Sequence, residues 1–292
     1  MSEIYYHIHN KGYPNNEHGH MAPVKIVRET NFDDPTYEFR VESKFRKFKS
    51  FIIRLFLPII GSAICYFRFN PKYKNKHMIK KHRKEIRNGF MTISNHVFDW
   101  DNVVLRNIYK FRKSEMPIWK EGADSSLGEL FRLSGGIPVP GYTKSIFRCF
   151  SALEQVIKDK GWLHVYPEAA CWNFYSPVRE FKPGTFRIAY DYNIPVFPVA
   201  FSFRKPTGLF KLWKKHEPCV NVSVGEPLYA DTTLDRQPGI EDLCRRVHEA
   251  VVKLIGFKDE NENEEFKKKY SYYEYKNPYL SQYEKFRAKK GK

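Results

Sequence analysis

The 292-residue chain carries 50 Lys and Arg against 33 Asp and Glu, a formal net charge of +17, and is long enough to bury a real core as one large α/β domain with extensions. The basic excess favours an anionic partner, whether acidic lipid, nucleic acid or a phosphorylated cofactor, without choosing among them. Five cysteines, at 65, 149, 171, 219 and 244, are odd in number and include no Cys-x-x-Cys, so neither a disulfide framework nor a zinc module is indicated and reduced thiols are expected.

The first residues, MSEIYYHIHN, lack a basic start and an apolar stretch, so no secretory signal is visible and the folded part is expected in the cytoplasm. Residues 1–43, with His7, His9, His18 and His20 among Asn, Gly and Pro, read as a polar extension without a role. Residues 44–84 hold the most hydrophobic run, FIIRLFLPIIGSAICYF at 51–67, interrupted by Arg54 and Pro58. A spanning helix wants about 20 predominantly apolar residues. Basic residues crowd both flanks, with Lys44, Arg46, Lys47 and Lys49 before the run and Arg68, Lys72, Lys74, Lys76, Lys80 and Lys81 after it. A single crossing would put one cluster on the non-cytoplasmic face. The expectation is therefore a peripheral or monotopic segment, interfacial or re-entrant, on the cytoplasmic leaflet. There each Lys or Arg near an anionic surface contributes roughly 1 kcal/mol. A buried core helix is the alternative, which Arg54 and the flanking charge disfavour.

Residues 85–256 read as the catalytic domain. In MTISNHVFDWDNVVL, the strand-like Phe90 to Ile93 gives way to a helical repeat of Val103, Val104, Leu105 and Ile108 behind Asp99 and Asp101. Residues five apart are offset by about 140° on a helix, so His96 belongs to the turn before it. From the first helical turn, Asp101 can accept a hydrogen bond from one imidazole nitrogen, fix the tautomer and leave the other nitrogen free as a base. The plainer reading makes His96 a turn cap and the acids ordinary helix-start residues. A metal held by His96, Asp99 and Asp101 lacks a further clustered ligand. Next come Lys120 in PIWKEG, then GGIPVPGYTKS with the extended Ile137 to Val139, then a helix near 143–160 with its apolar stripe Ile146, Phe150, Leu153, Val156 and Ile157. WLHVYPEAACW reads as a strand ending at Tyr166 and Pro167, with Glu168 exposed just past its end, where open α/β sheets bind ligands. A basic loop with Phe181, Lys182 and Gly184 leads to a short helix ending at Tyr192 and a β-rich run from Pro195 to Phe201. A strand at 219–224 and a helix at 239–255 follow. The alternation predicts an α/β fold, a mixed or mainly parallel sheet flanked by helices, behind the N-terminal membrane-associating helical segment. Residues 257–292, with seven acidic residues, ten basic residues and six tyrosines, read as a helix-prone or loosely ordered tail.

Four of these blocks, in this order, resemble the lysophosphatidate (1-acylglycerol-3-phosphate) acyltransferases, a glycerolipid acyltransferase family, over roughly residues 85–255. Asn95, His96 and Asp101 meet the family's Asn-His with Asp five positions after the His. Gly135, Ile137 and Val139 match Gly-x-Ile-x-Val, with Gly141 where the family has Arg. Tyr166, Pro167, Glu168, Ala169, Ala170 and Cys171 align with Phe-Pro-Glu-Gly-Thr-Arg. Phe181, Lys182, Gly184, Pro195 and Pro198 match the last block, and Gly225 to Leu228 is also similar.

The resemblance implies transfer of a fatty acyl group from an acyl thioester, acyl-coenzyme A or acyl carrier protein, to a hydroxyl of a lysoglycerolipid. His96 would be the general base and Asp101 its partner. Glu168 would orient the acceptor's hydroxyls, Asn95 and Lys120 count with the substrate-binding residues, and Lys144, Arg148, Arg179 or Lys182 would supply the charge missing at Gly141 and Cys171. Those departures open the acceptor to another lysolipid, a glycolipid or an amino-acid lipid. Cys171 reads as packing rather than as a nucleophile. No cofactor, metal or nucleic acid is expected, and the partners are the acceptor lipid, the acyl donor and an anionic membrane surface. The rival reading is a non-catalytic basic protein that binds a lipid surface or nucleic acid.

Overall fold

A computed structural model describes residues 4–7, 12–109, 112–141, 144–213 and 217–290. His9, residues 142–143 of the glycine-proline turn and the last two tail residues lie outside the described residues. In chain order the strands are β1 (Tyr13–Pro14), β2 (Lys72–Lys74), β3 (Phe90–Ser94), β4 (Ser114–Ile118), β5 (Gly136–Pro138), β6 (Trp162–Val165), β7 (Val196–Arg204), β8 (Cys219–Val224) and β9 (Tyr272–Tyr273). The helices are α1 (Lys44–Phe69), α2 (Met78–Lys81), α3 (Asp101–Arg106), α4 (Lys120–Asp124), α5 (Gly128–Leu133), α6 (Ile146–Lys158), α7 (Phe186–Tyr192), α8 (Leu209–Trp213), α9 (Arg236–Ile255), α10 (Glu260–Lys267) and α11 (Pro278–Lys290).

Seven strands form one sheet in the order β2-β8-β7-β3-β6-β4-β5, parallel at every pairing but β7 with β8. The expected mixed, mainly parallel sheet is therefore present. Its strands alternate between two cores. Met91, Ile93, Leu163, Val165 and Ala200 face the layer of α6, α7 and α9, while Phe90, Trp162, Phe197, Val199 and Phe201 face the layer of α1 and α3. The predicted stripe of α9 is buried at Ile240, Leu243, Val247, Val251 and Ile255. In α6 it runs through Leu153, Val156 and Ile157, with Cys149 added.

The apolar segment forms the 26-residue α1, long and apolar enough by length and composition to cross a membrane. A narrow stripe of Ser50, Pro58, Gly61, Cys65 and Phe69 is buried, and a Cβ on Gly61 would lie 2.6 Å from Val103 Cγ1 of α3, so glycine permits that close approach. Phe45, Phe56, Ile59, Ile60 and Phe67 are exposed, which sets aside the buried core helix. Arg54 departs from expectation. It joins the buried stripe and turns inward, with Nε donating to Ser50 Oγ at 3.0 Å and Nη1 to Ser114 O at 3.0 Å. A guanidinium needs acceptors, and carbonyls inside the domain supply them.

The two ends pack against each other and on the domain that holds the sheet. β1 pairs with β9 in parallel, Tyr13↔Tyr272, and the tail orders into α10, β9 and α11 with Tyr270, Tyr279 and Tyr283 buried. Asp124 is the tie. Its carboxylate accepts from Thr30 N at 3.0 Å, Lys120 Nζ at 2.6 Å and the Tyr283 hydroxyl, while its carbonyl accepts from Val27 N at 3.1 Å.

Candidate active site

β3 lies between β6 and β7, and its carboxyl end delivers Asn95 and His96 to the edge where parallel sheets carry ligand sites. The chain then turns through residues 97–100 into α3. His96 Nδ1 is 2.6 Å from Asp101 Oδ2. Asp101 is buried and accepts two more bonds, from Val97 N at 3.3 Å and from the Tyr166 hydroxyl at 2.8 Å. Burial and the neighbouring Asp101 push the Tyr166 phenol well above its usual value, so it stays a donor. The Tyr166 ring also stacks on the imidazole, 4.1 Å between centroids at 16°. With three donors on Asp101, the imidazole is held with Nδ1 inward, and Nε2 makes no hydrogen bond among the described residues. Asp99 stands exposed and outside this set.

Glu168 lies past the end of β6 as predicted, but it is buried rather than exposed. Oε2 accepts from His96 N at 2.9 Å and from Arg179 Nη2 at 2.9 Å, and Oε1 accepts from Arg179 N at 2.9 Å. The counter-charge that makes burial tolerable comes from eleven residues downstream. Glu168 therefore clamps the backbone at His96, and its oxygens are already engaged where acceptor hydroxyls were expected. Ala169 follows with a left-handed φ of 59°, where the matching family block carries Gly.

Other expected residues are spread more widely. Asn95 is buried, with Nδ2 donating to Phe201 O at 2.8 Å and Oδ1 accepting from Phe201 N at 2.8 Å, so its amide splices β3 to β7. Lys120 is drawn to Asp124 and to the Tyr283 hydroxyl at 2.9 Å. Arg148 staples the extension, donating to Asp34 O at 2.8 Å and Tyr37 O at 2.7 Å. Lys144 is exposed ahead of α6. Lys182 stays near the third block, its N–H on Pro167 O at 3.1 Å and its Nζ 2.8 Å from His18 Nδ1. Arg179 is spent on Glu168, on Glu17 O at 3.2 Å and on the Trp172 ring at 4.4 Å.

His20 was given no role by the sequence, yet it sits in the site. Its ring stacks on Trp119 at 4.4 Å and stands edge-on to His96 at 5.8 Å. Met21 N donates to Cys171 O at 3.0 Å and Trp172 Nε1 to Gly19 O at 2.8 Å, which holds the extension across the third block. Burial keeps the His20 imidazole neutral, its pKa well below 6.5. No local pattern encodes this contact, which joins residues far apart in the chain.

His96, Asp101 and Cys171 bring potential ligand atoms within 4.8 Å of one another. The donor set fits a metal poorly. Burial and Asp101 raise the Cys171 thiol well above its usual value, so it is protonated, and the facing atoms of His96 and Asp101 already bond each other. The same protonation argues against Cys171 as a nucleophile.

Residues 70–202 match the family model described as Acyltransferase. No curated protein gives a significant match. Among solved structures the chain is similar to the crystal structure of the 1-acyl-sn-glycerophosphate (LPA) acyltransferase PlsC from Thermotoga maritima, with 19% sequence identity, a TM-score of 0.44 and coverage of 71% of this chain and 81% of that one. β3, α3 and the third block all fall inside the matched span, whereas α1 and both chain ends fall outside it. Over residues 70–202, the span that holds the His96–Asp101 pair and Glu168, the chain is similar to the acyltransferase family.

Proposed function

We propose that the protein is an O-acyltransferase that moves a fatty acyl group from an acyl thioester, acyl-coenzyme A or acyl carrier protein, to a hydroxyl of a lysoglycerolipid. The observation that carries this reading is the imidazole held by Asp101 with Nε2 unbonded at the carboxyl edge of the sheet. An alcohol is a poor nucleophile at neutral pH. His96 Nε2 takes the hydroxyl proton as the oxygen attacks the thioester carbonyl, and Asp101 stabilises the imidazolium. When the tetrahedral intermediate collapses, the C–S bond breaks and the imidazolium returns its proton to the leaving sulfur. Glu168, through the His96 N–H, and Tyr166, through Asp101, are positioning residues. The work takes place on the cytoplasmic side of a membrane, with the exposed apolar face of α1 as a peripheral or monotopic anchor.

A second reading of the acceptor rests on charge. Gly141 is bare, Cys171 is a buried neutral thiol and Arg179 is already neutralised by Glu168, so no free arginine faces the dyad from these positions. An acceptor without a phosphate monoester fits that better than lysophosphatidate does. Transfer of labelled acyl groups from both donor types into lysolipids with and without a headgroup phosphate tests both readings. His96→Ala should lose about 10²- to 10⁴-fold in rate. Transfer into no acceptor, or equal transfer by the variant, would sink the mechanism and favour a basic lipid-surface or nucleic-acid-binding protein.

A further inference from the structure

At the other end of the sheet from His96, a cavity of ≈ 920 Å³ opens between α1 and the starts of β4 and β5. Seven of its lining residues are Lys or Arg and three are acidic. Two of the cations, the buried Arg106 and the half-buried Arg54, lack a closely paired carboxylate. Arg106 is 6% exposed and donates to Asn102 Oδ1 at 3.1 Å and Ser134 O at 2.6 Å, with no salt bridge among the described residues. Arg54 rests on Ser114 O and Leu133 O, and its nearest carboxylate, Glu115, is 3.9 Å away. Glu115 is itself taken by Arg40 at 2.7 Å and Lys113 at 3.0 Å.

The close approach is built into the backbone, since Gly135 holds φ 113° and a Cβ there would lie 2.9 Å from Arg54 Nη2. Carbonyl oxygens satisfy donors but do not cancel charge. Taking guanidinium charge out of water without a close counter-charge is costly, and an anion entering the cavity offsets that cost. Burial and the neighbouring Arg54 accordingly pull the Arg106 guanidinium down to about 9.

We propose that this cavity is a phosphate site distinct from the acyl-transfer centre, taking the phosphate of an anionic glycerophospholipid whose acyl chains lie along the exposed face of α1. Phe51 and Leu55 line the cavity and also belong to that exposed face, so one ligand can place its charge on Arg54 and Arg106 and its chains beside the helix. The planar guanidinium fork suits a phosphate. The phosphates of coenzyme A present the same chemistry, so the test separates the two sources.

The full chain is titrated with glycerophosphoglycerol, with adenosine 3′,5′-bisphosphate, and with phosphatidylcholine vesicles with and without phosphatidylglycerol, while hydrogen exchange is followed at residues 50–58 and 132–137. Saturable binding that protects these residues is expected, about tenfold or more weaker in Arg54→Gln, as loss of a charge-assisted contact implies. Lys47→Gln with Arg112→Gln removes lining charge without touching the buried bonds and decides the matter if Arg54→Gln fails to fold. Binding of the glycerol headgroup and the anionic vesicles marks a lipid ligand, and binding of the bisphosphate alone marks coenzyme A. Absence of protection with every probe, or unchanged affinity in the variants, overturns the proposal.

Discussion

Glu168 and Arg179 show how much of the centre depends on charges paired inside the protein. Their ion pair is buried, with side chains 1% and 7% exposed, and the same carboxylate holds the His96 backbone. Glu168→Gln keeps the shape but leaves a buried guanidinium without its counter-charge, which should cost about 3–5 kcal/mol in urea unfolding and lower the acyl-transfer rate of whatever folds. His20 and His164 add a pH dependence. Both are buried and neutral, with pKa values well below 6.5, and His164 Nδ1 sits 2.7 Å from Thr92 Oγ1. Below about pH 6.5 the unfolded chain binds protons that the folded chain refuses. Stability is therefore full above that pH and falls as pH drops, by up to about 1.4 kcal/mol per pH unit for each histidine. Unfolding free energies measured between about pH 7 and pH 5 check the slope, and His164→Gln should remove one histidine's share of it. The His96–Asp101 spacing was legible because both ends of the bond lie in one turn. The burial of Glu168 was not, because its partner is brought in by the loop that follows the third block.

At the scale of elements, the helices with clean apolar stripes were readable and the strand β4 was not. SEMPI contains a buried Glu and a proline, and neither suits the apolar alternation by which a strand is recognised. The fold makes room for both: Glu115 finds Arg40, and Pro117 falls in the half of β4 paired only with β5, where a missing N–H leaves no ladder unfilled on the β6 side. Arg54 was misread for a similar reason, since an arginine in an apolar run looks like a surface marker until a set of inward carbonyls is present. Its inward turn leaves the outer face of α1 apolar. Phe56→Ser with Ile60→Ser should weaken partition into vesicles about 100-fold, as loss of two apolar side chains at about 1.5–3 kcal/mol each requires at minimum, while leaving the unfolding midpoint nearly unchanged. A fall in stability of several kcal/mol would instead mean that this face packs on protein.

Over the whole molecule, the ends of the chain are parts of the centre's architecture, although their composition reads as solvated. Polar residues with scattered tyrosines carry no amphipathic period, and the tyrosines find their places through partners far away in the chain, Tyr283 on Asp124, Tyr279 on Ala22 O and Tyr270 beside Tyr13. Asp124→Asn should release residues 24–30 and α11 together. Limited proteolysis should then cut both ends at matched rates, and His96 should become more reactive towards an imidazole-modifying reagent as His20 lifts away. Cleavage at one end alone would show that the two are not joined through Asp124.

Among the described residues nothing lies within 4 Å of where a Cβ on Gly141 would sit, whereas Cys171 is sealed in the interior. Glycine and arginine codons are separated by a single base. A lineage could thus acquire or lose a cation at this open position in one mutational step with almost no penalty in folding, while the same exchange at the cysteine would demand a rebuilt interior. Of the two departures from the blocks this sequence resembles, the glycine is the reversible one, because the space beside it is open while that around the cysteine is filled.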